Sequence, residues 1–208
     1  MEGVLITFEG VEGSGKSTQV SLMANKLEKK GYEVVQTKEP GGTRLGEKIR
    51  HLLLDPENID MNARTEILLY AADRAQDVIE NIKPALKAGK VVLADRYIDS
   101  NIAYQGHGRK LDLKMVKRIN RWAIRDIWPD LTILLDIKVE KGLRRARDLS
   151  PDNKGDRLEQ EIISFHHRVR KAYLNIAKND SRFKIIDADQ DSLKVHRDIF
   201  HYVKERLL

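Results

Sequence analysis

The 208-residue chain has no cysteine. That excludes disulfides, thiolate nucleophiles and thiolate metal sites. No apolar run approaches the roughly 20 residues that span a bilayer. The opening "MEGVLITF" lacks the basic region, long apolar stretch and small-residue cleavage site of a secretory leader. The expected location is therefore the cytoplasm, with no membrane partner. A block of one charge is also missing. The 38 Lys and Arg residues are dispersed among 32 Asp and Glu, so the net charge of +6 reads as local basic patches rather than a nucleic-acid surface. There is no linker, repeat or low-complexity tract, and residues 1–208 are expected to form one domain.

What is present is an alternation. "GVLITF" (3–8), "EVVQTK" (33–38), "KVVLA" (90–94), "LTILLDI" (131–137) and "FKIIDA" (183–188) are apolar runs of strand length. Helical spacing fills the intervals: Lys16 to Lys30, closed by Gly31; "GEKIRHLLL" after the loop "EPGGT"; Met61 to about Ile82, continued or kinked at Pro84; short helices after 94; then 138–149, 157–178 and 192–207. This pattern predicts an α/β fold with a five-stranded parallel sheet and helices on both faces. Ligands then bind at the carboxyl ends of the strands.

The first such end carries "GVEGSGKST": Gly10, Val11, Glu12, Gly13, Ser14, Gly15, Lys16, Ser17, Thr18. This matches the P-loop pattern G-x4-G-K-[ST] between a strand and a helix. Glycines let backbone N–H groups close on phosphate oxygens, and the helix N-terminus adds a favourable dipole. Lys16 reaches the outer phosphates and the Ser17 hydroxyl serves Mg²⁺. "VVLAD" places Asp95 at another strand end, where a second group for the metal is expected. Asp136 ends "LTILLD" similarly and reads better as a cap or turn residue.

Three arginines point to the acceptor. Arg96 follows Asp95, Arg50 follows the 39–43 loop, and Arg74 lies four residues after Tyr70 on one helix face. Guanidinium forks from separate elements suit an oxyanion. A hydroxyl acceptor usually needs a carboxylate base, whereas a monophosphate with a second pKa of about 6 is already charged at neutral pH. The cluster therefore favours a nucleoside monophosphate. Triphosphate oxygens would repel Glu12, so its side chain should point out of the cradle.

The stretches "FEGVEGSGKSTQ", "EPGGT..GEKIR", "LLYAADRAQ", "DRYIDSNIAYQG", "PDLTILLDI" and "DRLEQE" resemble the thymidylate kinase family over nearly the whole chain. The resemblance implies a P-loop kinase fold, ATP with Mg²⁺ as phosphoryl donor, dTMP as acceptor, direct in-line transfer and a homodimer packed through 61–82 or 100–125. It implies that thymine stacks on Tyr70 with Arg74 at its edge. Arg50 and Arg96 would hold the dTMP phosphate, and Glu12 would lie near the sugar 3′-hydroxyl. Ser100, Asn101, Tyr104 and Gln105 would make base and sugar contacts beside the loop of Glu39. Relatives with glycine at the position of Gly13 carry their cations in a small mobile lid, here about 145–157. Arg145 would meet adenine and Arg147 the phosphates, with Lys154 or Arg157 supplying a further cation where relatives have an arginine and this chain has Leu149. His166 and His167, adjacent on a helix, face different ways and make a poor metal pair. The same motifs would also suit a deoxynucleoside kinase, which acts on thymidine, or a nucleotide switch, which transfers nothing.

Overall fold

The computed structural model describes residues 3–149 and 154–207. Strands β1 (Val4–Glu9), β2 (Val34–Lys38), β3 (Val91–Asp95), β4 (Leu131–Asp136) and β5 (Phe183–Asp187) form one parallel sheet in the order β2-β3-β1-β4-β5. Helices cover both faces, which is why the central strands read as continuous apolar runs: Leu5, Ile6, Phe8, Leu93, Ala94 and Ile133 are wholly buried. On one face α1 (Lys16–Glu28) delivers Val20, Met23, Ala24 and Leu27 at helical spacing, beside α9 (Ser192–Leu207) with Val195, Ile199 and Val203. Each such buried side chain contributes about 1.5–3 kcal/mol. On the other face Val78, Ile82 and Ala85 meet Leu5, Val92, Ala94 and Tyr97. β1 lies between β3 and β4, with Phe8 level with Asp95 and Glu9 level with Leu134. Its carboxyl end therefore opens where the strand order reverses.

Side chains cap the helices around that opening. Thr43 accepts the Gly46 N–H at the start of α2 (Arg44–Leu54), and Asn62 accepts the Arg64 N–H at the start of α3 (Ala63–Asp77). Beyond Asp77 the chain does not continue as plain α-helix. It widens into a π-helical turn, Val78–Ile82, before α4 (Lys83–Lys87). The wider turn makes room for the ring of Pro84 and its missing N–H. A second π-helical turn, Ile102–Gly108, extends the short α5 (Ile98–Asn101) where short helices were expected. α6 (Leu113–Ile124) and α7 (Val139–Arg147) follow.

The sequence pattern predicts a helix from 157, but α8 runs Ile163–Asn179. The difference has a local cause. Asp156 Oδ1 accepts the N–H groups of Leu158 (2.9 Å) and Glu159 (3.0 Å), and the Arg157 N–H reaches Leu54 O at 3.0 Å, so 154–162 is held as a turn. Within the expected lid, residues 150–153 lie outside the described residues. Among the described residues no helix is long and apolar enough to cross a membrane.

Candidate active site

After β1 the chain turns through Gly10 (φ 146°), Gly13 (φ 63°) and Gly15 (φ 90°). α7 lies against this loop backbone to backbone. A Cβ on Gly13 would sit 2.0 Å from the Gly142 carbonyl oxygen, and one on Gly142 would sit 2.4 Å from that of Glu12. No side chain fits at position 13, which gives a steric reason for its glycine. α1 starts behind Gly15 with no side-chain cap, leaving its first amides to an anion. Lys16 folds its ammonium onto Val11 O (3.0 Å), Gly10 O (3.3 Å) and Ser14 Oγ (3.3 Å). Burial, then the charge of Arg96, bring it down to about 8.

Ser17 Oγ donates to Asp95 Oδ2 at 2.5 Å, so the expected metal pair is assembled. Among the described residues no group of three or more acidic or histidine side chains could cage a cation alone. A hydroxyl and one carboxylate instead suit Mg²⁺, which completes its shell with phosphate oxygens and water. Over the loop lies a cavity of about 940 Å³ bounded by Lys16, Thr18, Arg145 and Gln190. Arg145 reaches its wall, with Nη1 donating to Ala188 O at 3.3 Å.

A second cavity, about 230 Å³, opens on the other side of Lys16 and Ser17. Arg50 from α2, Tyr70 from α3, Asn101 from α5, and Tyr104 and Gln105 from the π turn line it together with Glu12, Glu39 and Ser100. Glu12 points away from the phosphate cradle, as the repulsion argument requires. Tyr104 OH donates to its Oε1, which also lies 3.5 Å from Arg96 Nη2. Burial works against the charge of Glu12, but His166 and then Arg96 carry its carboxyl down to about 2. Arg96, at a left-handed φ of 72°, reaches Gly10 O (3.0 Å) and Tyr104 OH (3.2 Å). Arg50 Nη1 donates to Pro40 O at 2.8 Å, beyond the cis Glu39–Pro40 peptide. Gln105 Nε2 is bound by Glu66 at 2.8 Å. Asn101 is 1% exposed, and neither its amide nitrogen nor its oxygen has a partner. Such a group on a cavity wall has hydrogen-bonding capacity left for a ligand or a water.

Three expected contacts are placed differently. Arg74 shares a helix with Tyr70 but is 1% exposed and is not among the described residues lining either cavity. Its guanidinium is bound to Glu39 Oε2 (2.5 and 2.9 Å), Asn120 Oδ1 (2.7 Å) and Tyr97 O (3.1 Å). Burial disfavours its charge, yet Glu39 lifts it above its ordinary value. Arg147 turns to the chain after the lid, donating to Glu159 O at 2.7 Å, and is likewise off both walls. Arg157 is 3% exposed and points inward, to Leu53 O at 2.7 Å and to Glu66 Oε2 at 2.7 Å. It is a structural cation, not a free lid one. Lys154 is exposed, next to 150–153. Asp136 is gripped by Arg170 at 2.7 and 2.9 Å, which fits its reading as a non-ligand.

The sequence reading passed over several contributors. His166 is fully buried, its Nδ1 3.3 Å from Glu12 Oε2. Glu9 is fully buried too, under Ser100 and Tyr173. Burial, then the charge of Asp99, push its carboxyl up to about 7, while Ser100, Arg96 and Tyr173 act against a further rise. Asp156 and Glu159 border both cavities. A signal for His166 and Tyr173 existed: with Phe165, Val169 and Ala172 they form one buried face of α8 at helical spacing.

A P-loop at the central strand, a hydroxyl–carboxylate pair for a metal and a second polar cavity sharing a wall with the first at Lys16 and Ser17 define a phosphotransferase of the P-loop class. Relatives narrow the class. A family model described as "Thymidylate kinase" matches residues 8–199. The chain is 60% identical to a thymidylate kinase of Halothermothrix orenii over 208 residues, covering 100% of both chains. It is 46% identical to one of Caldanaerobacter subterraneus subsp. tengcongensis, covering 100% of this chain and 98% of that one. A crystal structure of thymidylate kinase from Ehrlichia chaffeensis superposes with a TM-score of 0.80 at 31% identity, covering 98% of this chain and 100% of the other. The chain belongs to the thymidylate kinase family, whose members catalyse ATP-dependent phosphorylation of dTMP to dTDP, and it is an enzyme of that activity.

Proposed function

We propose that the γ-phosphoryl passes from ATP in the large cavity directly to the phosphate of dTMP in the small one, with no covalent enzyme intermediate. One observation carries this reading: Gly13, Lys16, Ser17, Arg50, Asp156 and Glu159 border both cavities, so donor and acceptor meet across a shared wall. The acceptor enters already charged, and the work left to the chain is positioning and charge neutralisation. The α1 amides and Lys16 hold the β- and γ-phosphates. Ser17 and Asp95 hold Mg²⁺, which supplies charge neutralisation at the phosphates when bound. Arg96 and Arg50 hold the acceptor phosphate. Tyr70 stacks on thymine, and Asn101 and Gln105 serve the base. Tyr104 and Glu12 bound the sugar, where the Glu12 carboxylate accepts from the 3′-hydroxyl. Arg74 acts from behind the wall by fixing Glu39. Arg145 borders the adenine end, and Asp156 of the lid segment, with Glu159 just beyond it, borders the junction, from which the lid excludes water. We read the chain as one domain working in the cytoplasm on free nucleotides.

Transfer from ATP made chiral at the γ-phosphorus tests the direct step. A single in-line displacement inverts configuration, and retention would replace it with a two-step path through an enzyme nucleophile. We also infer a homodimer, supported by Leu68 and Ile79 (58% and 47% exposed) and by Met115 and Trp122 (53% and 81%) on or next to the contacting helices α3 and α6. Sedimentation equilibrium finding only monomer at assay concentration would remove that inference.

A further inference from the structure

Glu9 lies outside the cavity, on the inner side of Arg96, and touches no substrate position. Its Oε1 accepts the Tyr97 N–H at 2.8 Å. Its Oε2 receives both the Ser100 hydroxyl (2.7 Å) and the Tyr173 hydroxyl (2.8 Å). The same two hydroxyl oxygens lie 3.3 and 3.4 Å from Arg96 Nη1. A hydroxyl has one hydrogen and two lone pairs. The two hydroxyl oxygens also lie 2.8 Å from each other, where either could donate to the other. An ionised carboxylate only accepts, so it draws both hydrogens to itself and leaves lone pairs of both oxygens for the guanidinium.

We infer that Glu9 is a positioning residue for the acceptor phosphate: through the hydroxyls of Ser100 and Tyr173 it fixes the plane of the Arg96 guanidinium. This rests on the reading of Arg96 as a phosphate group-holder and extends it one layer inward. The charges facing Glu9 are mixed: Arg96 from the end of β3 and Lys16 from α1 favour its carboxylate, while Asp99 from α5, itself paired with Arg182 at 2.8 Å, opposes it. With an amide at position 9, one end must donate. If the nitrogen replaces Oε2, it turns the hydroxyl hydrogens away from position 9, so that at most one can go to the other hydroxyl and the other turns toward Arg96. If it replaces Oε1, it faces the Tyr97 N–H. Either arrangement tilts the guanidinium without changing side-chain volume.

The experiment is calorimetric titration of dTMP and of thymidine, which lacks the phosphate, into the intact wild-type enzyme and into E9Q, Y173F, E9Q/Y173F and R96A. The expected result for E9Q is dTMP binding weakened by about tenfold or more, the scale of a hydrogen bond to a charged group, with thymidine and ATP binding unchanged. The double variant should be no weaker than the worse single one, because both act through the same hydroxyl. Equal weakening of dTMP and thymidine in E9Q would overturn the inference, since that marks a deformed cavity rather than a misplaced guanidinium. So would an E9Q enzyme that binds dTMP as wild type while R96A does not. If R96A itself keeps full dTMP affinity, the reading of Arg96 fails first. Should E9Q not fold, Y173F decides alone: selective loss for dTMP supports the positioning role, and wild-type affinity refutes it.

Discussion

The two cavities share a wall but are built on opposite plans. The donor side, about 940 Å³, is shaped by backbone: three left-handed glycines, uncapped helix amides and a loop pressed against α7. The acceptor side, about 230 Å³, is shaped by side chains from α2, α3, α5 and the second π turn, backed by His166 and Tyr173 of α8, many already tied into ion pairs or buried hydrogen bonds. A backbone cradle suits a triphosphate that every P-loop enzyme binds alike. A side-chain lattice suits the discrimination of one base, one sugar and one charge state. On this view, charge removal should cost stability on the acceptor side and turnover on the donor side.

The largest expected effect breaks the acceptor lattice. R74M leaves Glu39 buried without its partner, which should cost about 3–5 kcal/mol, a fall of roughly 10 °C in Tm for a chain of this size. A Tm within a degree or two of wild type would mean the lattice is not under charge control. The donor-side counterpart is K16M. It removes a buried ammonium whose proton is already weakly held, so Tm should stay or rise while kcat falls about 10²- to 10³-fold. A variant that loses Tm but keeps kcat would invert the comparison. Smaller again is Y70A: loss of stacking on thymine should raise KM for dTMP by the equivalent of about 1–3 kcal/mol, with KM for ATP unmoved in the same assay.

The mildest effect is in pH. Lys16 titrates near 8 in the free enzyme. Below that value it carries the charge that meets the phosphates. Above it the free enzyme has lost the proton, and ATP binding must take one up, so KM for ATP should climb by about tenfold per pH unit. K16M should flatten that rise, and a rise that persists in K16M would assign it to another group.

The same contrast decides what the sequence could reveal. The loop of residues 10–18 is short-range: glycines, lysine and serine act within one turn, and strand, loop and helix were all legible. The parallel sheet and the Ser17–Asp95 meeting followed from alternation and strand ends, whereas the strand order came only with the structure. The acceptor lattice is long-range and was only half legible. Four-residue spacing put Arg74 beside Tyr70 but could not show that Glu39 and Asn120, from distant segments, draw its guanidinium behind the wall. The cations of 154–162 resembled helix surface, yet Arg157 is captured by Leu53 O and Glu66. Glycine at position 13 was visible, but its cause, the carbonyl of Gly142, lies on another helix. Glu9 fell just past the strand read at 3–8 and drew no role, because nothing nearby in sequence announces the hydroxyls of Ser100 and Tyr173.

The most direct test of the central claim, that the side-chain lattice is built for a charged phosphate acceptor, is ADP formation with Mg·ATP and either dTMP or thymidine at equal concentration. Rapid turnover of dTMP and none of thymidine is the expected result. Comparable turnover of thymidine would contradict it, because the acceptor would then be a hydroxyl and the arginines would have to yield their role to a carboxylate base.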